Sequence, residues 1–297
     1  MAIVEYNVEG AVGTITINRP KALNALNSEV LSELDKIFDN VDQNSVRCLI
    51  ITGSGDKSFV AGADIGEMHN LDGEGGKAFG IKGNAVMRKI ETFPLPVIAA
   101  INGFALGGGN ELAMSCDIRI CSDNATFGQP ETGLGVTPGF GGTQRLPRLI
   151  NSGMAKQLLY TSAIFNADEA FRLGLVNAVY PQAELMPAAQ KMAAKIAKMG
   201  PIAVRDCKIL VNEGLEKNMD DAIAFEAEIF GSTFDTNDQK EGMGAFVEKK
   251  KEKIRATTVA ITETAKAILA LRTVNAPSNI SRAKIAPANG KIGRAHV

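Results

Sequence analysis

The 297-residue chain has 45% hydrophobic residues, 22% charged residues and a formal net charge of −1, a composition typical of a soluble globular protein. A net charge so close to zero argues against nucleic acid or an acidic membrane surface as a partner. The sequence begins without a basic leader and contains no apolar stretch of about 20 residues. We therefore expect a cytoplasmic protein without membrane spans.

The cysteines and histidines restrict the classes of metal, redox and catalytic site that the chain can form. No C-x-x-C pair occurs, which argues against a zinc ribbon or a thioredoxin-like motif. We expect four buried free thiols, at Cys48, Cys116, Cys121 and Cys207. The two histidines are His69 and His296 and there is no G-x-S-x-G motif, so a Ser-His-Asp enzyme would depend on His69. If the chain performs acid–base chemistry near neutral pH, we therefore expect carboxylates to be the groups that exchange protons.

The first part of the chain alternates between strand and helix patterns. Residues 2–18 alternate about Gly10 and predict a β-hairpin that ends at Arg19-Pro20. Ser28 is the predicted cap of a helix with apolar residues at helical spacing. The predicted elements that follow are strands at Val46–Thr52 and Val97–Asn102, a helix from about Gly108 to Cys116 and a strand at Ile118–Ser122.

From Asn166 onward helical patterns dominate. The predicted helices cover about 167–173, 184–199, 201–214 and 219–232, the last capped by Asn218. We divide the chain into an α/β core (1–195), a helical lobe (196–253) and a basic tail (254–297). The tail is interpreted as a flexible basic arm, or, at its Ile-Gly-Arg-Ala-His-Val end, as a non-native sequencing-adapter read-through.

Two Gly-rich segments suggest nucleotide-binding motifs but lack their defining residues. Gly73–Lys77 has Leu71 in place of the first glycine of a P-loop and Ala78 in place of its Ser/Thr, so we predict a solvent loop. Gly133–Gly139 misses the G-x-G-x-x-G spacing. Neither segment predicts a nucleotide site.

A third Gly-rich segment, Ile101–Asp117, is better suited to chemistry. A predicted strand runs into three consecutive glycines and then into a helix. Glycines let the backbone approach a ligand closely, and free N–H groups at a helix start suit an oxyanion. Glu111 lies in the first turn, where complementarity to the helix dipole is the alternative explanation. Glu131 follows in a Pro/Gly loop after a predicted strand at Ala125–Phe127, where an ordinary surface acid is the alternative.

These segments resemble the crotonase (enoyl-CoA hydratase) superfamily, and within it the short-chain hydratase branch. The similar stretches lie within about residues 4–253 and are Asn18–Leu26, Phe59–Ile65, Asn102–Leu112, Phe127–Glu131, Pro138–Leu146 and Glu241–Lys249. The resemblance implies an α/β fold, a spiral of ββα units with a C-terminal helical lobe. It also implies homotrimers that commonly pair as homohexamers.

The resemblance also implies roles for single residues. The catalytic carboxylates fall on Glu111 and Glu131, and the oxyanion hole falls on the backbone N–H groups of Ala63 and Gly108. Gly139 falls on a position whose backbone helps to hold the water. The positions along the CoA moiety are Lys21, Ala22, Leu23, Ala61, Ala63, Asp64, Ile65, Phe246 and Lys249. For Lys249, a solvated charge run is the alternative.

The implied reaction is reversible syn addition of water to a short-chain trans-2-enoyl-CoA, which gives a 3-hydroxyacyl-CoA. No metal and no cofactor is expected, because CoA is part of the substrate.

An enoyl-CoA isomerase, a thioester hydrolase and a dehalogenase are alternatives, but isomerases often need a single glutamate and this chain has both. An RNA-binding member of the fold and a non-catalytic scaffold are alternatives from other classes. We expect four-carbon acyl groups, with residues 67–90 forming the pocket floor.

Overall fold

The computed structural model describes residues 2–248, so the basic tail lies outside the described range. The strands are β1 (Val4–Glu9), β2 (Val12–Ile17), β3 (Cys48–Gly53), β4 (Ser58–Val60), β5 (Val97–Ile101), β6 (Phe104–Leu106), β7 (Ile118–Ser122), β8 (Thr126–Gly128), β9 (Ile164–Asn166) and β10 (Ala178–Tyr180). The α-helices are α1 (Ser28–Asn40), α2 (Ile65–Met68), α3 (Gly73–Thr92), α4 (Gly108–Ser115), α5 (Gly142–Leu149), α6 (Ser152–Thr161), α7 (Ala167–Arg172), α8 (Gln182–Ile196), α9 (Pro201–Gly214), α10 (Met219–Thr233) and α11 (Asn237–Val247). Short 3-10 helices span Pro20–Ala22 and Pro130–Leu134.

Two sheets share the strands in a regular order. The larger sheet has the order β1-β2-β3-β5-β7-β10, and the smaller has the order β4-β6-β8-β9. Successive units place one strand in the larger sheet and the next in the smaller, as β3-β4, β5-β6 and β7-β8 do. A helix follows each of these pairs: α2 follows β4, α4 follows β6, and the 3-10 helix Pro130–Leu134 and then α5 follow β8. This arrangement confirms the predicted α/β spiral of ββα units.

The parallel strands of the larger sheet are buried on both faces. β3, Cys-Leu-Ile-Ile-Thr-Gly, is buried at every position, as expected for a strand covered on both sides. One face packs against α8 through Leu185, Ala189 and Ala193, which are spaced four residues apart and therefore share one side of the helix. The opposite face joins the main core, which includes apolar side chains of α1, α3 and α4.

Three expectations from the sequence differ from the structure. The cap of α1 is Asn27, whose side chain accepts a hydrogen bond from Val30 N at 2.9 Å, and not Ser28. The solvent loop predicted at Gly73–Lys77 is wrong, because Asp72 caps α3 there and the apolar residues that follow are buried against the core. Cys207 is exposed, whereas the other three cysteines are buried.

α9, the first helix within the predicted helical lobe, is tied to the preceding part of the chain by an ion pair. The Lys208 side chain is 7% exposed, and its ammonium lies 2.7 Å from the Asp117 carboxylate and donates to Leu95 O at 3.1 Å. Asp117 in turn accepts a hydrogen bond from Val97 N at 2.7 Å. The pair therefore fixes α9 to the start of β5 and β7. Within residues 2–248, no helix combines the length and apolar character needed to cross a membrane.

We predict that Lys208→Met lowers the free energy of unfolding by about 3–5 kcal/mol, because it leaves a largely buried carboxylate without its cation. Lys36→Met is the matched control: Lys36 is 66% exposed and pairs with Glu33, so its loss should cost less than about 1 kcal/mol. Urea denaturation at one fixed protein concentration measures both. Equal midpoints for the two variants would contradict the structural role of Lys208.

Candidate active site

The ends of three short strands bring the candidate residues together. β4, β6 and β8 are parallel neighbours in the smaller sheet. The chain leaves them at one edge, into Ala61–Ala63, Gly107–Gly108 and Gln129–Glu131. Because parallel strands present their carboxyl ends on the same side, segments far apart in sequence meet there.

Gly107 makes the tight turn between β6 and α4. Its backbone has φ 49° and ψ −121°, a left-handed conformation that side chains rarely adopt. Its N–H donates to Gly128 O at 2.9 Å. A Cβ at this position would lie 2.7 Å from Oε1 of Glu131. The glycine therefore allows the Glu131 carboxylate to lie directly against the turn.

Two unused backbone donors lie beside this carboxylate. A Cβ on Gly108 would be 3.2 Å from the nitrogen of Ala63, so the two peptides are adjacent. Gly108 is the first residue of α4, where an N–H has no partner within the helix. No hydrogen bond within residues 2–248 uses the N–H of Gly108 or of Ala63. Two free donors placed together can bind one oxygen that gains negative charge.

Glu111, in the first turn of α4, is 1% exposed. Its Oε1 accepts hydrogen bonds from Phe140 N at 2.9 Å and from Gly142 N at 2.6 Å. Burial raises the pKa of the carboxyl to about 7, the two N–H bonds oppose this shift, and the charge of Glu131 adds to it. Interaction with its own helix dipole is therefore not enough to explain Glu111, because its carboxylate is held by a distant loop.

Glu131 lies in the 3-10 helix that follows β8. Burial raises the pKa of its carboxyl. Its Oε2 is buried and has no hydrogen-bond partner among the described residues. A buried polar atom without a partner costs free energy unless a ligand or water satisfies it. Glu131 is therefore not an ordinary surface acid, because it has a buried oxygen that is free to bind a ligand or a water.

The two carboxyl groups form an electrostatic pair. Charge on Glu131 raises the pKa of Glu111, which requires that the two lie close enough to interact. Acids that interact strongly in a desolvated site titrate as a pair, which retains one proton at a pH where isolated acids would have lost both. The site can thus supply one proton acceptor and one proton donor at neutral pH.

The predicted CoA-binding segments at Lys21–Leu23 and Ala61–Ile65 lie next to each other. Ala61 N donates to Leu23 O at 3.0 Å, and Arg19 pairs with Asp64 at 3.0 Å. A surface cavity of about 320 Å³ adjoins the first of these segments and is lined by Pro20, Lys21, Leu23, Asn24 and residues 54–58.

Of the three remaining predicted positions, the structure describes two, Gly139 and Phe246. Gly139 lies one residue before Phe140, in the loop that donates to Glu111. Phe246, on α11, is 85% exposed, and no side-chain hydrogen bond or aromatic ring contact within residues 2–248 links it to the site. Lys249 lies outside the described residues.

The structure adds three polar side chains that the sequence reasoning missed. Asn84 and Arg145 donate to the carbonyls of Gly139 and Phe140. Gln129, with its amide nitrogen turned toward them, donates to Gly107 O and Gly128 O at 3.0 Å. Gln129 and Arg145 lie within stretches that carry the family resemblance, whereas only the fold reveals Asn84. Within the part of the chain described, no group of three or more His, Cys, Asp or Glu residues is arranged to hold a metal ion.

Comparisons with known proteins show the family to which the chain belongs. The family model described as enoyl-CoA hydratase/isomerase matches residues 7–256. A protein of Clostridium acetobutylicum named short-chain-enoyl-CoA hydratase is 57% identical over 82% of this chain and 94% of its own. A crotonyl-CoA hydratase of Syntrophomonas wolfei is 58% identical over the same shares. The crystal structure of an enoyl-CoA hydratase from Bacillus anthracis superposes with a TM-score of 0.83 at 38% identity, covering 86% of this chain and 100% of that one. The chain belongs to the enoyl-CoA hydratase/isomerase family.

Proposed function

We propose that the protein is a short-chain enoyl-CoA hydratase that adds water reversibly to a trans-2-enoyl-CoA. One observation carries this proposal: the buried carboxyl group of Glu111 feels the charge of Glu131, whose own Oε2 is buried without a partner, and Glu131 lies against the turn that precedes two adjacent backbone N–H groups without partners. The names of the relatives, short-chain-enoyl-CoA hydratase and crotonyl-CoA hydratase, support the same reaction.

The thioester carbonyl binds to the N–H groups of Ala63 and Gly108. When water attacks C3, the electron pair of the C2–C3 double bond moves toward the carbonyl, whose oxygen gains enolate charge. Fixed donors at that oxygen supply about 10²–10³ in rate each. The ionised member of the glutamate pair takes the proton from water, and the protonated member delivers a proton to C2. Atoms and charges balance without a redox step, so we propose that no cofactor takes part.

The position of the proton on Glu111 follows from its hydrogen bonds. Oε1 already accepts two N–H bonds, and an oxygen in that environment is a poor site for a proton. When Glu111 is protonated, the hydrogen is therefore on Oε2. Oε2 of Glu111 and Oε2 of Glu131 are the oxygens that we assign to the water and the substrate.

We propose a four-carbon acyl group as the preferred substrate. The ring of Phe140 lies 3.2 Å from the position of a Cβ on Gly108 and packs on Phe79 with centroids 5.3 Å apart. Phe79 belongs to α3, so two aromatic rings fill space between the reaction centre and the helix expected to form the pocket floor. Long acyl chains would have to displace them.

We also propose that the chain assembles as a trimer or as a pair of trimers. Large apolar side chains remain exposed on α10, α11 and the segment before α10, among them Leu215 (81%), Met219 (73%), Phe230 (61%) and Phe246 (85%). Exposed apolar clusters of this kind favour association with another protein surface.

Glu131→Gln should lower kcat for crotonyl-CoA hydration by about 10²–10⁴-fold, because the amide can neither take nor deliver the proton. The assay follows the absorbance of the conjugated double bond. Applied to the wild-type protein with enoyl-CoA substrates of four to sixteen carbons, the same assay should give the highest kcat/KM at four carbons. Glu184→Gln, an exposed position in the first turn of α8, is the control. A Glu131→Gln variant with a third of wild-type activity would rule out this assignment.

Gly108→Pro should lower kcat by about 10²–10³-fold and change the affinity for CoA much less, because proline removes one oxyanion donor. Proline is tolerated at the first position of a helix, so α4 should still form. Gly108→Ala is the matched control, since it introduces a Cβ but keeps the N–H. If the two variants lose the same activity, the N–H of Gly108 is not the donor.

Glu111→Gln should make the protein more stable at pH 8 by about 3 kcal/mol, since a tenfold change in acidity corresponds to about 1.4 kcal/mol. Burial holds the folded-state pKa of Glu111 at about 7, above the ordinary value of an unfolded chain. Stability from this group is therefore full below the unfolded pKa and is lost as the pH rises through about 7. Urea denaturation at pH 4.5 and at pH 8 measures the difference, and an equal effect at both would contradict the burial of an ionisable Glu111.

A further inference from the structure

The loop at Gly139–Gly142 holds Glu111 through two backbone N–H groups. The loop is itself anchored by residues of α3 and α5. Phe140 N and Gly142 N both donate to Oε1 of Glu111. A trans peptide is planar, and its C=O points opposite to its N–H. Whatever holds the carbonyls of Gly139 and Gly141 therefore sets the direction of these two N–H groups.

The carbonyl of Gly139 is held by a side chain of α3. Asn84 Nδ2 donates to Gly139 O at 2.6 Å and to Gly80 O at 3.0 Å. The Gly139–Phe140 peptide thus has Asn84 at its oxygen and Glu111 at its N–H. Within residues 2–248, no other side chain donates a hydrogen bond to Gly139 O.

The next two peptides are held by α5. Arg145 Nη1 donates to Phe140 O at 2.8 Å. Gly141 O accepts hydrogen bonds from Gln144 N at 3.0 Å and Arg145 N at 2.9 Å, which leaves Gly142 N directed at Glu111. Three successive peptides are therefore each fixed at the carbonyl.

Arg145 is itself fixed and contributes charge. Its side chain is 12% exposed and lies 3.0 Å from the carboxylate of Glu91 on α3. Burial raises the pKa of Glu91, but hydrogen bonds from Arg145 and Arg88 outweigh it and lower the pKa overall. The same guanidinium opposes the effect of burial on the pKa of Glu111. Arg145 thus acts on Glu111 both through the loop and through its charge.

We propose that Asn84 and Arg145 are positioning residues that fix the Glu111 carboxylate by holding the Gly139–Gly142 backbone from the side opposite to it. The inference rests on the proposed function for its kinetic consequences. A carboxylate displaced by about 1 Å loses on the order of 10²-fold in rate. Both side chains hydrogen-bond to the loop backbone and not to Glu111 or Glu131, so substrate affinity should change little.

The kinetic test uses Asn84→Asp and Arg145→Gln with crotonyl-CoA. Asn84→Asp replaces a donor by an acceptor that faces a carbonyl, and we expect kcat to fall about 10- to 100-fold with KM within about threefold. Arg145→Gln should lower kcat similarly and move the alkaline limb of the kcat/KM profile to higher pH, because a cation beside Glu111 is lost. Arg145→Lys keeps the charge and should restore the position of the limb.

Two control variants are matched to these changes. Asn40→Asp alters an asparagine that donates only to the carbonyl one helical turn before it, Lys36 O. Arg172→Gln alters an exposed arginine paired with Glu169. Both should retain wild-type kinetics. Wild-type kcat in Asn84→Asp and Arg145→Gln would overturn the proposal, and so would lower kcat with an unshifted pH profile in Arg145→Gln.

A double-mutant cycle on stability tests the coupling between Arg145 and Glu111 without an activity measurement. At pH 8, Arg145→Gln should lower the urea midpoint more in the wild-type background than in the Glu111→Gln background, where no carboxylate needs the cation. Equal losses in both backgrounds would overturn the coupling. A wild-type protein that hydrates no enoyl-CoA but shows this coupling would refute the proposed function and leave the positioning inference standing.

Discussion

A carboxylate inside a protein core needs compensating donors, and Glu111 receives them from the main chain. Its side chain is almost fully buried, and two N–H groups of one loop converge on a single oxygen. An uncompensated buried charge costs several kcal/mol. The loop that provides this compensation also leaves the other oxygen, Oε2, as the one that we propose for catalysis. The remaining features of the site, including the anchoring of that loop, follow from the need to keep this carboxylate in place.

The two sheets of the fold meet this need in different ways. The larger sheet, buried on both faces, provides the rigid layer. The smaller sheet lies where the chain leaves that layer, and its parallel edge gathers the Ala63, Gly108 and Glu131 segments. Glu111 then enters from α4 and its supporting loop from α5. Residues on different ββα units thus share one site, which a single hairpin or helix could not achieve.

The sequence predicted those parts that local physics determines. The β1–β2 hairpin, the buried strand β3 and the Asn218 cap of α10 all follow from periodicity and capping. The start of α3 was predicted as a loop because four residues from Gly73 to Gly76 include three glycines, yet the buried apolar residues downstream stabilise the helix. The pairing of Glu111 with Glu131 came from the family resemblance. Asn84 could not be predicted as part of the site, because its contact with Gly139 spans 55 residues and depends on tertiary packing.

The crystal structure of the Glu131→Gln protein with crotonyl-CoA would test the account most directly. The account predicts the thioester oxygen at about 2.7–3.1 Å from the nitrogens of both Ala63 and Gly108. It also predicts one water between Oε2 of Glu111 and the side chain at position 131, above C3 of the acyl group. A thioester oxygen bound elsewhere, or a water that contacts only one of the two side chains, would contradict it.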